Sequence, residues 1–141
     1  MTLVVDASVA FKWFVAEAQS EAAEVLLTAG TTLLAPDLIF PEVCNVACLK
    51  VSRGEITADQ AASIVDGLPE LLDEVVPTRD LAARAFEIAG AVSHPAYDCF
   101  YLALAERRGV RLVTADRRLM SRMAGTRWAP LLAGLGDAEA M

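Results

Sequence analysis

Leu3-Val4-Val5-Asp6-Ala7-Ser8-Val9-Ala10 is the stretch on which the reading of this chain turns. Three consecutive apolar residues, two of them β-branched, mark a short buried strand. The run stops on a carboxylate, and a short helix is expected from Ser8, a good N-cap residue, to about Val15. A second stretch repeats the pattern toward the other end. Leu112-Val113-Thr114-Ala115 is an apolar strand, Asp116 ends it, and a helix to Met123 follows.

Between these two units the sequence alternates in the same way. Helices are expected over Glu17–Ala29, stopped by Gly30, and from Pro36-Asp37 to about Arg53, stopped by Gly54. Pro41 forces that second helix either to begin irregularly or to begin late. Further helices are expected over Thr57–Leu72, with Thr57 as cap, over Arg79–Val92, and over Ala96–Arg108, stopped by Gly109. Thr31–Ala35 and Glu74–Pro77 read as strands, and Arg127-Trp128 as an edge strand. Strands that alternate with helices imply a three-layer α/β/α sandwich around a mostly parallel sheet, joined by right-handed crossovers. At 141 residues the chain is one domain, expected over residues 1–130, with a loose Gly/Ala-rich tail over 131–141. In such sheets the functional crevice lies outside the carboxyl ends of the strands.

Four acids stand where a carboxylate is costly. Asp6 and Asp116 end apolar strands. Asp98 opens the run Cys99-Phe100-Tyr101-Leu102-Ala103-Leu104-Ala105, which is apolar nearly all round. Glu42 lies among Ile39, Phe40, Val43 and Val46. Local chemistry can explain some of them singly: Asp6 and Asp116 as helix caps, Asp98 as a first-turn acid favoured by the helix dipole. Glu42 has no such account. One divalent cation would satisfy all four together, because hard cations prefer carboxylate oxygens and uncompensated buried charge is expensive.

Composition narrows the partners. The net charge of −7 argues against a general nucleic-acid coat protein. Seven of the twelve basic residues nevertheless fall between Arg107 and Arg127, so a local basic edge is expected. Arg117, Arg118 and Arg122 follow Asp116 directly and are candidates to hold the phosphate groups of a bound partner, with Lys12 as a further candidate; the alternative for each is an ordinary solvated side chain. Three cysteines and a single histidine make a zinc site improbable, and the cysteines read as small buried residues in a reducing compartment. His94, in a loop before Pro95, reads as structural or surface, without a partner. Trp13 and Phe14 read as core. No apolar stretch reaches the ~20 residues of a membrane span, and the first residues carry no basic run or cleavage site, so no membrane association and a cytoplasmic location are expected. The hydrophobic fraction of 55% is high for a free domain of this size and points to a covered surface. Candidate stripes are Ile64, Leu68, Leu71, Phe86 and Ala89, on the helices over 57–72 and 79–92.

The motifs in order resemble those of the PIN-domain family. They are Val4-Val5-Asp6-Ala7-Ser8-Val9-Ala10 with Lys12-Trp13-Phe14, then Pro41-Glu42-Val43-Cys44-Asn45, then Tyr97-Asp98-Cys99-Phe100-Tyr101-Leu102-Ala103-Leu104-Ala105, then Thr114-Ala115-Asp116. The size and the absence of other domains resemble the VapC toxins of bacterial toxin–antitoxin pairs. The resemblance implies a Mg2+- or Mn2+-dependent endoribonuclease leaving 5′-phosphate and 3′-hydroxyl ends. It implies metal binding and catalysis at Asp6, Glu42, Asp98 and Asp116, support from Ser8, Asn45 and Thr114, a VapB-like antitoxin as partner, and a homodimer. Two other readings start from the same residues. An aspartyl phosphatase of the haloacid dehalogenase type would need a second Asp two residues after Asp6, where this chain has Ser8. A non-catalytic PIN-like RNA-binding or interaction module would have no reason to keep four unpaired acids.

Overall fold

The computed structural model describes residues 1–140. Five strands, β1 (Thr2–Val5), β2 (Thr32–Pro36), β3 (Glu74–Val76), β4 (Arg111–Thr114) and β5 (Leu132–Gly134), form one sheet in the order β3-β2-β1-β4-β5. Every pairing is parallel, so the sheet is wholly parallel. Seven α-helices connect and cover it: α1 (Ala7–Phe11), α2 (Ser20–Thr28), α3 (Ile39–Ser52), α4 (Ala58–Leu71), α5 (Ala82–Val92), α6 (Ala96–Arg108) and α7 (Arg117–Met123). The central strands are buried on both faces. Val4, Val5, Leu112 and Val113 have no exposed surface, as the continuous apolar runs require. The strand order reverses between β1 and β4, and this is the switch point at which a crevice opens beyond the strand ends. Asp6 follows β1 directly, and Asp116 lies two residues after β4.

The helix signals act as their chemistry dictates. Thr57 caps α4 in a reciprocal box: its side chain accepts from Gln60 N, and the Gln60 side chain accepts from Thr57 N. Pro41 falls in the first turn of α3, where its missing N–H costs no helical bond, so the helix simply begins at Ile39. Gly54 and Gly109 take the left-handed conformation that ends α3 and α6. The helix expected from Glu17 starts later, at Ser20, because Gln19 itself is left-handed (φ 66°). At the first strand–helix junction Asp6, not Ser8, is the cap: its Oδ1 accepts from Val9 N at 3.2 Å.

The C-terminal expectation needs correction. Arg127-Trp128 is not a strand. The edge strand is Leu132–Gly134, pairing Thr114 with Gly134, and a 3-10 segment follows over Leu135–Ala140. Leu132 and Leu135 are buried in the core, so the residues expected to be a loose tail complete the sheet. The last residue of that expected tail, Met141, lies outside the described residues. Trp128 packs instead, with its indole N–H donating to Glu106 at 2.9 Å. Trp13 and Phe14 pack partly buried against the core, as expected. Of the candidate surface stripes, Ile64 and Leu68 are buried in the α3–α4 packing; Phe86 is the large one that stays out, at 77% exposure. Among the described residues no helix is long and apolar enough to cross a membrane.

Candidate active site

Asp6 is the most constrained of the four acids. It is 7% exposed, and three groups hold it. Ser8 Oγ donates to Oδ1 at 2.6 Å, Val9 N to the same oxygen, and Thr114 Oγ1 to Oδ2 at 2.5 Å. Ser8 also accepts from Ala115 N at 3.0 Å, so its hydroxyl ties the end of β1 to the end of β4. Burial pushes the Asp6 carboxyl up to about 6, against these hydrogen bonds, and the charge of Asp98 adds to the rise.

Glu42 sits in the first turn of α3 and accepts from the Tyr101 hydroxyl at 2.5 Å. Its pKa is raised, first by burial and then by the charges of Asp98 and Asp6, while the Tyr101 hydrogen bond opposes the rise. Tyr101 is 1% exposed. Burial, with the Glu42 charge behind it, drives its phenol far above the ordinary range, so it is a fixed neutral donor. Asp98, in the first turn of α6, meets His94 Nε2 at 2.6 Å through Oδ2. Asp6, Glu42 and Asp98 therefore share one electrostatic neighbourhood at the carboxyl edge of the sheet.

Among the described residues no lysine or arginine pairs with any of these three acids. Lys12 turns away to Glu17 at 3.1 Å, with its side chain only 11% exposed, which removes it as a phosphate contact in this arrangement. Among the described residues no three acid, imidazole or thiol side chains stand close enough together to enclose an ion as the side chains lie. Even so, the donor set suits a hard divalent cation: every candidate group is a carboxylate, and the charge of Asp98 raises both Asp6 and Glu42, a repulsion that a bound cation would relieve.

Asp116 stands apart from the other three. Its Oδ1 caps α7, accepting from Arg118 N at 2.9 Å and Leu119 N at 3.1 Å. Its charge is not among those that raise Asp6 or Glu42. The link to the others runs through Thr114 Oγ1, which accepts from Asp116 N at 3.0 Å while donating to Asp6. Asp116 also lines a separate polar hollow of about 420 Å³ with Gln19, Arg117 and Asp137. Of the supporting residues, Ser8 and Thr114 touch Asp6. Asn45 is exposed and makes no hydrogen bond to any of the acids among the described residues. Arg117, Arg118 and Arg122 are all exposed beside this edge, and Arg122 reaches Ser93 O at 3.4 Å.

Sequence reasoning missed two residues here, His94 and Tyr101. The signals were partial: Tyr101 is three residues after Asp98 on α6, so it shares a face of that helix with it, and His94 lies four residues before Asp98, in the link that precedes α6. His94 was read as partnerless because the loop before α6 hides that spacing.

A wholly parallel α/β domain with an acidic crevice at its switch point belongs to the class of folds that bind ligands beyond the strand ends. The model of the PIN domain matches residues 3–125. The sequence is 35% identical over 121 residues to ribonuclease VapC3 of Pyrobaculum aerophilum, covering 84% of this chain and 92% of that protein. The fold is similar to the crystal structure of PAE2754 from Pyrobaculum aerophilum (TM-score 0.73, 20% identity, 99% of this chain and 88% of that one). It is also similar to VapBC2 from Rickettsia felis bound to a DNA fragment from their promoter (TM-score 0.66, 13% identity, 95% of this chain and 98% of that one). This chain belongs to the PIN-domain family.

Proposed function

We propose that this protein is a metal-dependent endoribonuclease, the toxin of a toxin–antitoxin pair. The observation that carries the reading is the group Asp6, Glu42 and Asp98, coupled in charge and, among the described residues, paired with no lysine or arginine, in a chain 35% identical to ribonuclease VapC3 over most of its length. Asp6, Glu42 and Asp98 would hold Mg2+ or Mn2+, with Asp116 as the fourth acid on the Thr114 side. When bound, such an ion supplies positive charge to the scissile phosphate and acidifies the attacking water. The protein's own part is positioning. Ser8, Val9 N and Thr114 fix the Asp6 carboxylate, and Tyr101 keeps Glu42 closer to its anionic form. A bound ion would offset the cost of burial that raises the Asp6 carboxyl. Incubating purified protein with RNA in Mg2+ or Mn2+, and with chelator, tests this. Cleavage that requires the metal is expected, and RNA left intact in both overturns the nuclease reading in favour of a binding module.

Arg117 and Arg118 would guide the RNA backbone to this edge, with Arg122 beside them. Replacing Arg117 and Arg118 with Ala is expected to weaken RNA binding and to flatten its salt dependence by roughly one log-log unit per lost phosphate contact. A filter-binding salt series measures it, and an unchanged slope returns these residues to solvated surface.

The antitoxin would be VapB-like. An apolar groove of about 520 Å³ between α3 and α4, lined by Ala47, Val51, Ala61 and Val65 among others, has the form that accepts an apolar helix. An Arg or Lys carried on the same segment would compete with the metal for the acids, so inhibition would weaken as Mg2+ rises. A homodimer would cover Phe86 and Tyr97, which are 77% and 65% exposed.

A further inference from the structure

His94 occupies the short link between α5 and α6, and its backbone is pinned from both sides. Ser93 before it is left-handed at φ 52°, an unfavourable conformation for a residue other than glycine. Pro95 after it restricts His94 to extended conformations. The imidazole is buried, with its side chain 7% exposed. Nε2 lies 2.6 Å from Asp98 Oδ2, while Nδ1 is buried with no hydrogen-bond partner, alone in this among the described residues. An orphaned buried nitrogen is a cost that an apolar side chain of similar size would avoid. The compensating gain must come from the other nitrogen.

We propose that His94 is a positioning residue for Asp98: it donates Nε2–H to Oδ2 and so fixes the carboxylate, leaving Oδ1 for the metal. The proposal rests on the reading of Asp98 as a metal carboxylate. The side chain of Asp98 is 31% exposed and would otherwise sample several rotamers. A buried donor on a pinned backbone removes that freedom before the ion arrives.

The test compares His94→Gln, His94→Asn and His94→Leu. A Gln amide can place a donor near the position of Nε2; an Asn amide matches Nδ1 and falls short of Oδ2; Leu has no donor. Calorimetric titration with Mn2+ alone, and kcat and KM for RNA, are the readouts. His94→Leu and His94→Asn are expected to bind Mn2+ roughly 10- to 100-fold more weakly and to lose kcat in proportion. KM for RNA should hold steady, and His94→Gln should stay within about threefold of wild type, on the same scale of loss. If the Leu variant does not fold, the Gln and Asn pair decides. Equal Mn2+ affinity in wild type and His94→Asn overturns the proposal, as does equal impairment of Gln and Asn. A wild-type protein that cleaves RNA but binds Mn2+ no more tightly than Asp98→Asn overturns Asp98 as a ligand, and the role of His94 with it. A wild type that neither binds Mn2+ nor cleaves RNA fails the nuclease reading itself.

Discussion

Asp6→Asn is expected to cut RNA cleavage by roughly 100- to 1,000-fold, the size of single electrostatic contributions at active sites, and to make the metal-free protein more stable at neutral pH. The sign follows from the raised carboxyl. The folded state binds the Asp6 proton more tightly than the unfolded chain, whose value is 3.8, and releases it only near pH 6. That preference supports the fold fully below about pH 4 and is lost as pH rises through about 6. The shift corresponds to about 3 kcal/mol against the ionised folded state. Asn carries no such penalty. It does reverse the polarity toward Thr114, whose hydroxyl loses its acceptor, at about 1 kcal/mol. A net gain of about 2 kcal/mol remains, or a melting temperature roughly 5–10 °C higher at pH 7.5. The difference should shrink toward pH 4, and saturating Mg2+ should narrow it by stabilising the wild type alone. Thermal melts at both pH values, with and without Mg2+, measure all of this. A variant less stable than wild type at pH 7.5 in chelator would contradict the assignment of burial as the dominant cost at Asp6.

The second large effect separates the two roles of Asp116. As the cap of α7 it accepts two backbone N–H bonds, which Asn accepts equally well. As a site acid it contributes charge, which Asn does not. Asp116→Asn should therefore keep the melting temperature and lose about 10- to 100-fold in kcat, the scale of a group acting beside the primary ligands. Asp116→Ala should show the same loss of rate and an additional destabilisation of about 1 kcal/mol from the missing cap. Full activity in Asp116→Asn would make the residue a cap and nothing more. The structure gives this test its point, because Asp116 stands outside the charge coupling that unites the other three acids.

The interior of the sheet was readable from sequence because Leu3–Val5 in β1 and Leu112–Val113 in β4 are buried on both faces, so those runs contain only apolar residues. β5 was not. Leu132-Ala133-Gly134 carries little strand propensity, and it becomes a strand because β4 offers an unpaired edge and Leu132 and Leu135 reach the core. The acids were readable one at a time, as carboxylates in apolar surroundings. Their grouping depends on how α3 and α6 dock beside β1, which no local pattern reveals. Tyr101 illustrates this: on a run that is apolar nearly all round it looks like core, and it is core, yet its hydroxyl reaches across 59 residues of sequence to Glu42. Lys12 was misplaced for the opposite reason. Glu17 lies close in sequence and outside any helical spacing from it, and the turn after α1 brings the two together.

The three cysteines are sorted by the fold into two kinds. Cys99 is sealed under the first turn of α6, and burial, with Asp98 beside it, pushes its thiol up to about 11. It stays protonated and shielded from electrophiles. Cys44 and Cys48 lie four residues apart on the wall of the α3–α4 groove, the first half-buried and the second exposed. Alkylating reagents thus meet two thiols in the native protein and three after unfolding. Because both reachable thiols line the groove, the native protein carries its own footprinting label there. Protection of Cys44 and Cys48 from alkylation reads out occupancy of the groove directly, with Cys99 as an internal standard for intact folding and no tag or added residue required.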